Sequence, residues 1–254
     1  MNTASFRAID ELIRSPAQPG VVSSEAASAG EQAKDPVWID LTALNRSTFS
    51  VVQEQYGLPP EVMTYFLLRY QSTKLIHAGP ALFLVTFLAI PSPRHLFTMR
   101  ELKICVTPTL VVTLYGPSGR ARPDLARVLP LPKLSGGKIG QFLCGLLEGV
   151  TGSYEAIVKT VTERRLDEVT REDTHQWRRR VEKLVHFLRD EQILLGNIAR
   201  EGSKLLSAEE SRSLSRLGER VGVFARVAWD ITRLKKGEKV TLESTLAGKG
   251  DGDT

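Results

Sequence analysis

The chain has 254 residues, of which 42% are hydrophobic and 25% are charged, proportions typical of a soluble globular protein. Its net charge of +5 is compatible with an acidic partner or an anionic membrane surface but does not demand either. No signal peptide is visible, and no run reaches the roughly 18 apolar residues that a membrane-spanning helix needs. The sequence as given is therefore expected to be soluble.

The N-terminal third of the chain combines a low-complexity segment with the first structural signals. Residues 1–35 are rich in Ala, Ser, Gly and Pro, which predicts a largely disordered segment with one short helix at 5–14. Structure is predicted to begin with a strand over Pro36–Leu41. Two short helices follow, at Thr48–Tyr56 and at Pro60–Tyr70, where the proline is well tolerated as a first helical residue.

Strand signals fill the next segment. Two predicted hairpins pair Lys74–Ala78 with Ala81–Ile90 and Leu96–Val106 with Leu110–Tyr115. Their turns are the dipeptide Gly79-Pro80 and the tripeptide Thr107-Pro108-Thr109. Residues 116–135 hold several Gly and Pro and are predicted to be a loop, with one helical turn near Asp124–Val128.

Apolar residues recur at steps of three and four through the rest of the chain, which predicts three long amphipathic helices. The first two cover about Gly137–Val169 and about Asp173–Lys204. The third begins at Ser207, since Ser207-Ala208-Glu209-Glu210 fits a capping box. Its stripe consists of Leu214, Leu217, Val221, Phe224, Ala228 and Ile231. Such stripes are typical of helices packed in a bundle or coiled coil, not of a cofactor site.

The predicted fold class is therefore α/β (α+β), with a mixed sheet covered by helices and followed by long antiparallel helices that form a stalk. The predicted division is a disordered segment at 1–35, an α/β head at 36–135, a bundle of long helices at 136–245 and a flexible tail at 246–254.

Motifs for phosphate binding and thiol chemistry are incomplete. Ser135-Gly136-Gly137-Lys138 is similar to a phosphate-binding loop, but Pro132 stands where the first glycine belongs and Ile139 where Ser or Thr belongs. A helix start is the preferred interpretation. Cys105 and Cys144 both lie in apolar runs, which favours buried free thiols over a disulfide.

No catalytic constellation is recognisable. None of the four histidines belongs to an HxxxH or HExxH pair, and neither cysteine has a second one at ligand spacing; the histidines are His77, His95, His175 and His186. A tetrahedral zinc site within one chain is therefore not expected. No nucleophile elbow is present either, so we predict that the chain is not an enzyme.

A basic cluster, Trp177-Arg178-Arg179-Arg180, is the one pattern that fits nucleic-acid binding. Glu172, Asp173 and Glu182 flank it, and Trp177 lies on the apolar stripe of its helix. A solvated helix face is therefore preferred, and no nucleic-acid partner is predicted.

Several motifs, in order along the chain, carry a family resemblance. They are Trp38-Ile39-Asp40-Leu41, Gly57-Leu58-Pro59-Pro60, Ala81-Leu82-Phe83-Leu84-Val85, Thr174-His175-Gln176-Trp177 and Leu206-Ser207-Ala208-Glu209-Glu210. In this order and spacing, from Trp38 to about Leu234, the chain resembles the cytosolic domain of the CorA superfamily of divalent-cation channels and transporters. The last motif and the Leu214–Leu234 stripe are most similar to the zinc-transporting ZntB branch.

The resemblance implies a homopentamer whose heads form a cytosolic funnel and whose third long helix continues into a pore-lining membrane helix, followed by a Gly-Met-Asn signature. The sequence given stops before both, so it is expected to be transport-incompetent alone. It is either part of a transporter, at the cytoplasmic face of the inner or plasma membrane, or a stand-alone cytoplasmic paralogue with an assembly or regulatory role. Membrane contact is expected only through helices missing from this chain.

The resemblance also implies where a regulatory cation would bind. In magnesium members, an acidic pair near the end of the helix after the Gly-x-Pro motif binds Mg²⁺ between subunits with a carboxylate of the third helix. Alignment from Gly57 puts Thr64 and Tyr65 at the pair and Glu219 near the partner. A hard cation needs several oxygen ligands, so this loss of charge favours a ZntB-like or non-sensing branch. Glu219 is the one predicted metal ligand, and no cofactor beyond a Mg²⁺ or Zn²⁺ ion is implied.

Overall fold

A computed structural model describes residues 36–41, 46–68, 71–92, 95–116, 125–130, 138–163, 171–202 and 204–233. The predictions for the N-terminal segment, the tail and most of the phosphate-loop-like motif lie outside these residues. Within them, no helix is both long and apolar enough to cross a membrane.

The order of elements confirms the predicted α/β class. The strands are β1 (Val37–Leu41), β2 (Lys74–Ala78), β3 (Ala81–Ser92), β4 (Leu96–Val106) and β5 (Leu110–Tyr115). The helices are α1 (Arg46–Tyr56), α2 (Pro60–Leu67), α3 (Leu125–Val128), α4 (Ile139–Glu163), α5 (Arg171–Glu201) and α6 (Ala208–Arg233). Both predicted hairpins are present, and Gly79 turns the first of them with a φ of 58°, a left-handed conformation that favours glycine.

The strands form one sheet in the order β1-β5-β4-β3-β2. All neighbours are antiparallel except β1, which runs parallel to β5 with Trp38 opposite Val111. A buried polar chain fixes this parallel pair. Trp38 Nε1 donates to Thr113 Oγ1 at 3.0 Å, Thr113 Oγ1 donates to Asp40 Oδ1 at 2.7 Å, and the Leu125 N–H donates to Asp40 Oδ2 at 2.9 Å. Asp40 thereby ties β1 to the start of α3.

Helices cover both faces of the sheet, so its strands are apolar on both sides. One core lies between the sheet and the pair α1 and α2, and it includes Phe49, Phe66 and Phe83. The other lies between the sheet and the helices α4 to α6, and it includes Leu84, Leu102, Tyr154 and Leu188. The predicted head and the predicted long helices share this second core.

Contacts between the long helices define their directions. Arg189 of α5 lies over Trp229 of α6, and Leu195 lies beside Gly218, so α5 and α6 are antiparallel. The predicted capping box begins α6: the Ser207 N–H donates to Glu210 Oε2 at 2.6 Å, and the Glu210 N–H donates to Ser207 Oγ at 3.2 Å.

Candidate functional site

The three positions that the family resemblance aligns with a cation site lie on opposite sides of the sheet. Thr64 is exposed on α2, and the ring of its neighbour Tyr65 packs 5.3 Å from that of Phe83. Glu219 is exposed on α6, which belongs to the helix layer on the other face. One chain therefore does not bring Thr64 and Glu219 together, and a site that uses both would need a second chain.

The described residues hold no group of three or more His, Cys, Asp or Glu side chains arranged for a metal ion. Neither Thr64 nor Tyr65 supplies the fixed negative charge that a hard cation prefers. Glu219 as a metal ligand stays a prediction.

A buried lysine holds the C-terminal end of α2. Lys103, on β4, is 3% exposed, and its Nζ donates to the carbonyl oxygen of Phe66 at 2.9 Å and to that of Leu68. Gln71 Nε2 donates to the Tyr65 carbonyl at 2.7 Å, and Glu101 Oε1 lies 3.8 Å from Lys103 Nζ. These donors bind carbonyls that the helix itself cannot pair and complement the negative end of its dipole.

Lys103 and its ion-pair partner Glu101 thus lie at the end of the helix that carries Thr64 and Tyr65. Lys103 was not among the predicted site residues. The signal was a lysine within an apolar strand run, Leu102 to Val106, where an exposed lysine is not expected.

The second buried polar cluster joins three elements. Glu191 of α5 is 0% exposed, and its Oε2 accepts a hydrogen bond of 2.5 Å from Thr86 Oγ1 of β3. Its other oxygen, Oε1, has no hydrogen-bond partner among the described residues, and neither does the hydroxyl of the buried Tyr154 of α4. We call Glu191, Thr86 and Tyr154 the buried carboxyl cluster.

Burial perturbs both acids of this cluster. It raises the pKa of Glu191 to about 7, with the charge of Asp190 acting in the same direction and the Thr86 hydrogen bond acting against it. Burial also raises the pKa of Tyr154 well above its usual value. The charges of Glu191 and Asp190 add to this shift, and the Thr86 hydroxyl acts against it. A signal in the sequence was available: Glu191 occupies the gap in the apolar stripe between Leu188 and Leu195.

The exposed side of α5 and α6 carries two apolar side chains. Trp229 is 40% exposed and Ile193 is 61% exposed. The guanidinium of Arg189, one helical turn before Ile193, lies 5.6 Å from the centre of the Trp229 ring. Arg226 and Arg233 are exposed on the same side of α6, one turn on either side of Trp229. We call this surface the Trp229 face.

The two free cysteines and one cleft are the remaining candidates. Burial raises the pKa of both free cysteines, Cys105 and Cys144, to about 12, so neither thiol is a ready nucleophile. A cleft of about 800 Å³ between the starts of α4 and α6 is lined by side chains of both charges, among them Lys138, Lys204 and Glu209.

Two of the histidines and one arginine of the basic cluster have side-chain contacts in the described part of the chain. His77 Nε2 lies 2.8 Å from Glu201 Oε2, and His95 Nδ1 lies 3.2 Å from Arg180 Nη2. Trp177 is buried, as its place on the apolar stripe predicted, so its ring is not available to stack on a nucleic-acid base.

Comparison with solved structures finds this architecture in other proteins, and four of the matching structures are described below. The full-length CmaX protein matches with a TM-score of 0.66 and 15% identity, over 82% of this chain and 67% of CmaX. The soluble domain of CorA from Methanocaldococcus jannaschii matches with a TM-score of 0.61 and 14% identity, over 84% of this chain and 86% of that domain. The complete CorA magnesium transporter of that organism matches with a TM-score of 0.59 and 13% identity, over 89% of this chain and 73% of the transporter. The ZntB cytoplasmic domain from Vibrio parahaemolyticus matches with a TM-score of 0.54 and 14% identity, over 77% of this chain and 84% of that domain.

No protein-family model and no curated protein matches the sequence. The ZntB domain does not match better than CorA or CmaX, so the comparisons do not separately support the ZntB branch. At these identities the comparisons establish the fold and leave the activity to be argued from the chain itself. The chain has the fold of the CorA and ZntB cytosolic domains, which confirms the resemblance carried by its sequence motifs.

Proposed function

We propose that this chain is the cytosolic domain of a CorA-type divalent-cation transporter and that it has no catalytic role. The supporting observation is the match of fold to the soluble domain of CorA over 84% of this chain and 86% of that domain. The complete CorA magnesium transporter shares the fold as well, over 89% of this chain and 73% of its own length. In such a transporter the domain lies at the cytoplasmic face of the membrane.

We propose a homopentamer as the functional assembly, because the family resemblance implies five copies. The Trp229 face supports a contact between chains. Trp229 and Ile193 leave apolar surface in water on the otherwise polar, solvent-facing side of these helices. A tryptophan that is a central residue of an interface contributes about 2 kcal/mol or more to the free energy of binding. The arginines beside Trp229 would meet like charges in a ring of identical subunits, so assembly should be weak at low ionic strength.

The transported ion in this proposal is Mg²⁺ or Zn²⁺. Glu219 is the family-equivalent carboxylate that this chain retains, and Thr64 and Tyr65 offer only neutral oxygens. Regulatory cation binding between subunits should therefore be weak.

A stand-alone paralogue with an assembly or regulatory role is the second candidate. The observation that favours it is the replacement of the acidic pair by Thr64 and Tyr65 beside the buried Lys103, since a domain without cation sensing does not need those carboxylates.

Sedimentation velocity distinguishes the two candidates. The chain is measured at several concentrations and two ionic strengths, with and without millimolar Mg²⁺ or Zn²⁺. The proposal expects a concentration-dependent pentamer that Trp229→Ala weakens. Leu68→Ala is the matched control, because Leu68 is an exposed apolar residue beside the other face of the sheet. A monomer at every concentration would refute the pentamer, and a tight dimer would favour the paralogue.

A further inference from the structure

The buried carboxyl cluster lies where β3, α4 and α5 meet. We infer that it is a proton-operated contact: with Glu191 protonated, α4 and α5 pack firmly on the sheet, and ionisation of Glu191 loosens them. The inference does not depend on the proposed function, because it uses only contacts within one chain.

The geometry favours the neutral acid. An ionised carboxylate accepts hydrogen bonds at both oxygens, whereas a carboxylic acid donates through one of them. Thr86 supplies one donor to Oε2, and within the described residues nothing donates to Oε1. Protonation of Oε1 turns an unsatisfied acceptor into a donor and removes the charge that acts on the Tyr154 hydroxyl. A buried charge without compensation is far more costly than this neutral arrangement.

The charged groups around Glu191 do not supply that compensation. Its neighbour on α5 is Asp190, whose charge also opposes ionisation, and α4 contributes the neutral Tyr154. From α6, the uncharged residues Gly218 and Gly222 lie against Gln192, which directly follows Glu191 on α5, and Gly218 also lies against Leu195.

The ion pair between β2 and α5 lies far from the buried carboxyl cluster. His77 of β2 binds Glu201, which is ten residues further along α5, about 15 Å from Glu191. Among the described residues, no Lys, Arg or His contributes to the pKa shift of Glu191.

The sign of the pH dependence follows from the pKa values. In the folded chain the pKa of Glu191 is about 7, against an ordinary value of 4.5, so the folded state binds the proton more tightly than the unfolded state does. The stabilisation is complete below pH 4.5 and is lost as the pH rises to 7. Above pH 7 both states are ionised and the dependence ends. Between pH 5 and pH 8 the equilibrium constant for opening should rise on the order of 100-fold.

Hydrogen exchange on the full chain tests the inference. After correction for intrinsic exchange rates, amides of α5 in the wild type should lose on the order of 100-fold in protection between pH 5 and pH 8. Glu191→Gln keeps the shape without the titration, so its protection should stay level over that range. Glu182→Gln, which changes an exposed carboxylate on the same helix, should behave like the wild type.

A second variant keeps the test decisive if Glu191→Gln does not fold. Thr86→Val removes the hydrogen bond that favours the ionised form, so the loss of protection should move to higher pH. Carbon NMR of the Glu191 carboxyl gives the titration directly. A midpoint below pH 5, or a Glu191→Gln or Thr86→Val variant with the wild-type pH dependence, would refute the proton-operated contact.

Discussion

Replacing Lys103 by methionine is the sharpest test of how α2 is held. Methionine keeps an unbranched apolar side chain in place of the lysine stem and removes only the donor. The lost contacts are the two hydrogen bonds to the Phe66 and Leu68 carbonyls and the proximity to Glu101, 3.8 Å from Nζ. The substitution therefore isolates the polar part of the interaction.

The expected loss can be worked from these contacts. A buried carbonyl that loses its donor costs about 1–3 kcal/mol, and removal of one partner of a buried ion pair costs about 3–5 kcal/mol. Methionine offsets part of this, because its burial does not desolvate an amine. Glu101 Oε1 also keeps the hydrogen bond that it accepts from the Gln71 N–H, at 3.3 Å. We expect the free energy of unfolding to fall by about 3 kcal/mol.

Urea denaturation followed by circular dichroism measures this loss, and hydrogen exchange of residues 60–68 shows whether it begins at α2. Lys159→Met is the matched control. Lys159 lies 3.9 Å from Glu163 with a side chain that is 71% exposed, so its loss should cost under about 0.5 kcal/mol. If Lys103→Met costs no more than Lys159→Met, the helix end is held by other contacts and the reasoning is wrong.

Three further outcomes are expected. Millimolar Mg²⁺ should leave the melting temperature almost unchanged, because Thr64 and Tyr65 carry no fixed charge; a large rise abolished by Glu219→Ala would show a working site. Salt should strengthen self-association, because it screens the repulsion between arginines of the Trp229 face that meet across subunits. Sedimentation at two ionic strengths checks this, and weaker association at high salt would contradict it. Ser207→Ala should cost about 1 kcal/mol in thermal or urea unfolding through loss of the α6 cap, and an unchanged stability would contradict the capping box.

The fold was predictable where its signals are local. The β2–β3 hairpin follows from Gly79-Pro80 between two apolar runs, and the start of α6 follows from the spacing of Ser207 and Glu210. The parallel pairing of β1 with β5 was not predictable in this way. It joins strands about seventy residues apart, and the Trp38–Thr113–Asp40 chain that fixes it exists only after the strands meet.

The polar sites show the same limit. The positions Thr64, Tyr65 and Glu219 came from a family pattern, and only the tertiary structure places them on opposite sides of the sheet. Lys103 and Glu191 stand at positions where the apolar pattern expects a buried side chain, and the pattern alone does not say which group would pair with each charge. Their burial depends on partners, Phe66 and Thr86, that lie far away in sequence.

The contact between Gly140 and Glu210 gives a prediction whose sign depends on two opposing effects. Gly140 lies in the first turn of α4, and a Cβ added there would lie 2.7 Å from Glu210 Cδ and closer still to Oε2. The carboxylate would have to move, although Oε2 is the atom that accepts the Ser207 N–H at 2.6 Å in the capping box. Gly140→Ala therefore gains helix propensity in α4 and weakens the start of α6.

The magnitudes decide the outcome. Alanine is favoured over glycine in a helix by at most about 1 kcal/mol, and by less in the first turn, whereas weakening a cap costs about 1 kcal/mol. Gly140→Ala should thus be neutral or slightly destabilising in the wild type. It should be stabilising in a Glu210→Ala background, where the obstacle and the carboxylate half of the capping box are both absent. Urea unfolding of the four proteins gives the coupling energy, expected near 1 kcal/mol. Equal effects of Gly140→Ala in both backgrounds would mean that Glu210 does not rest on Gly140 and that α4 and α6 are coupled elsewhere.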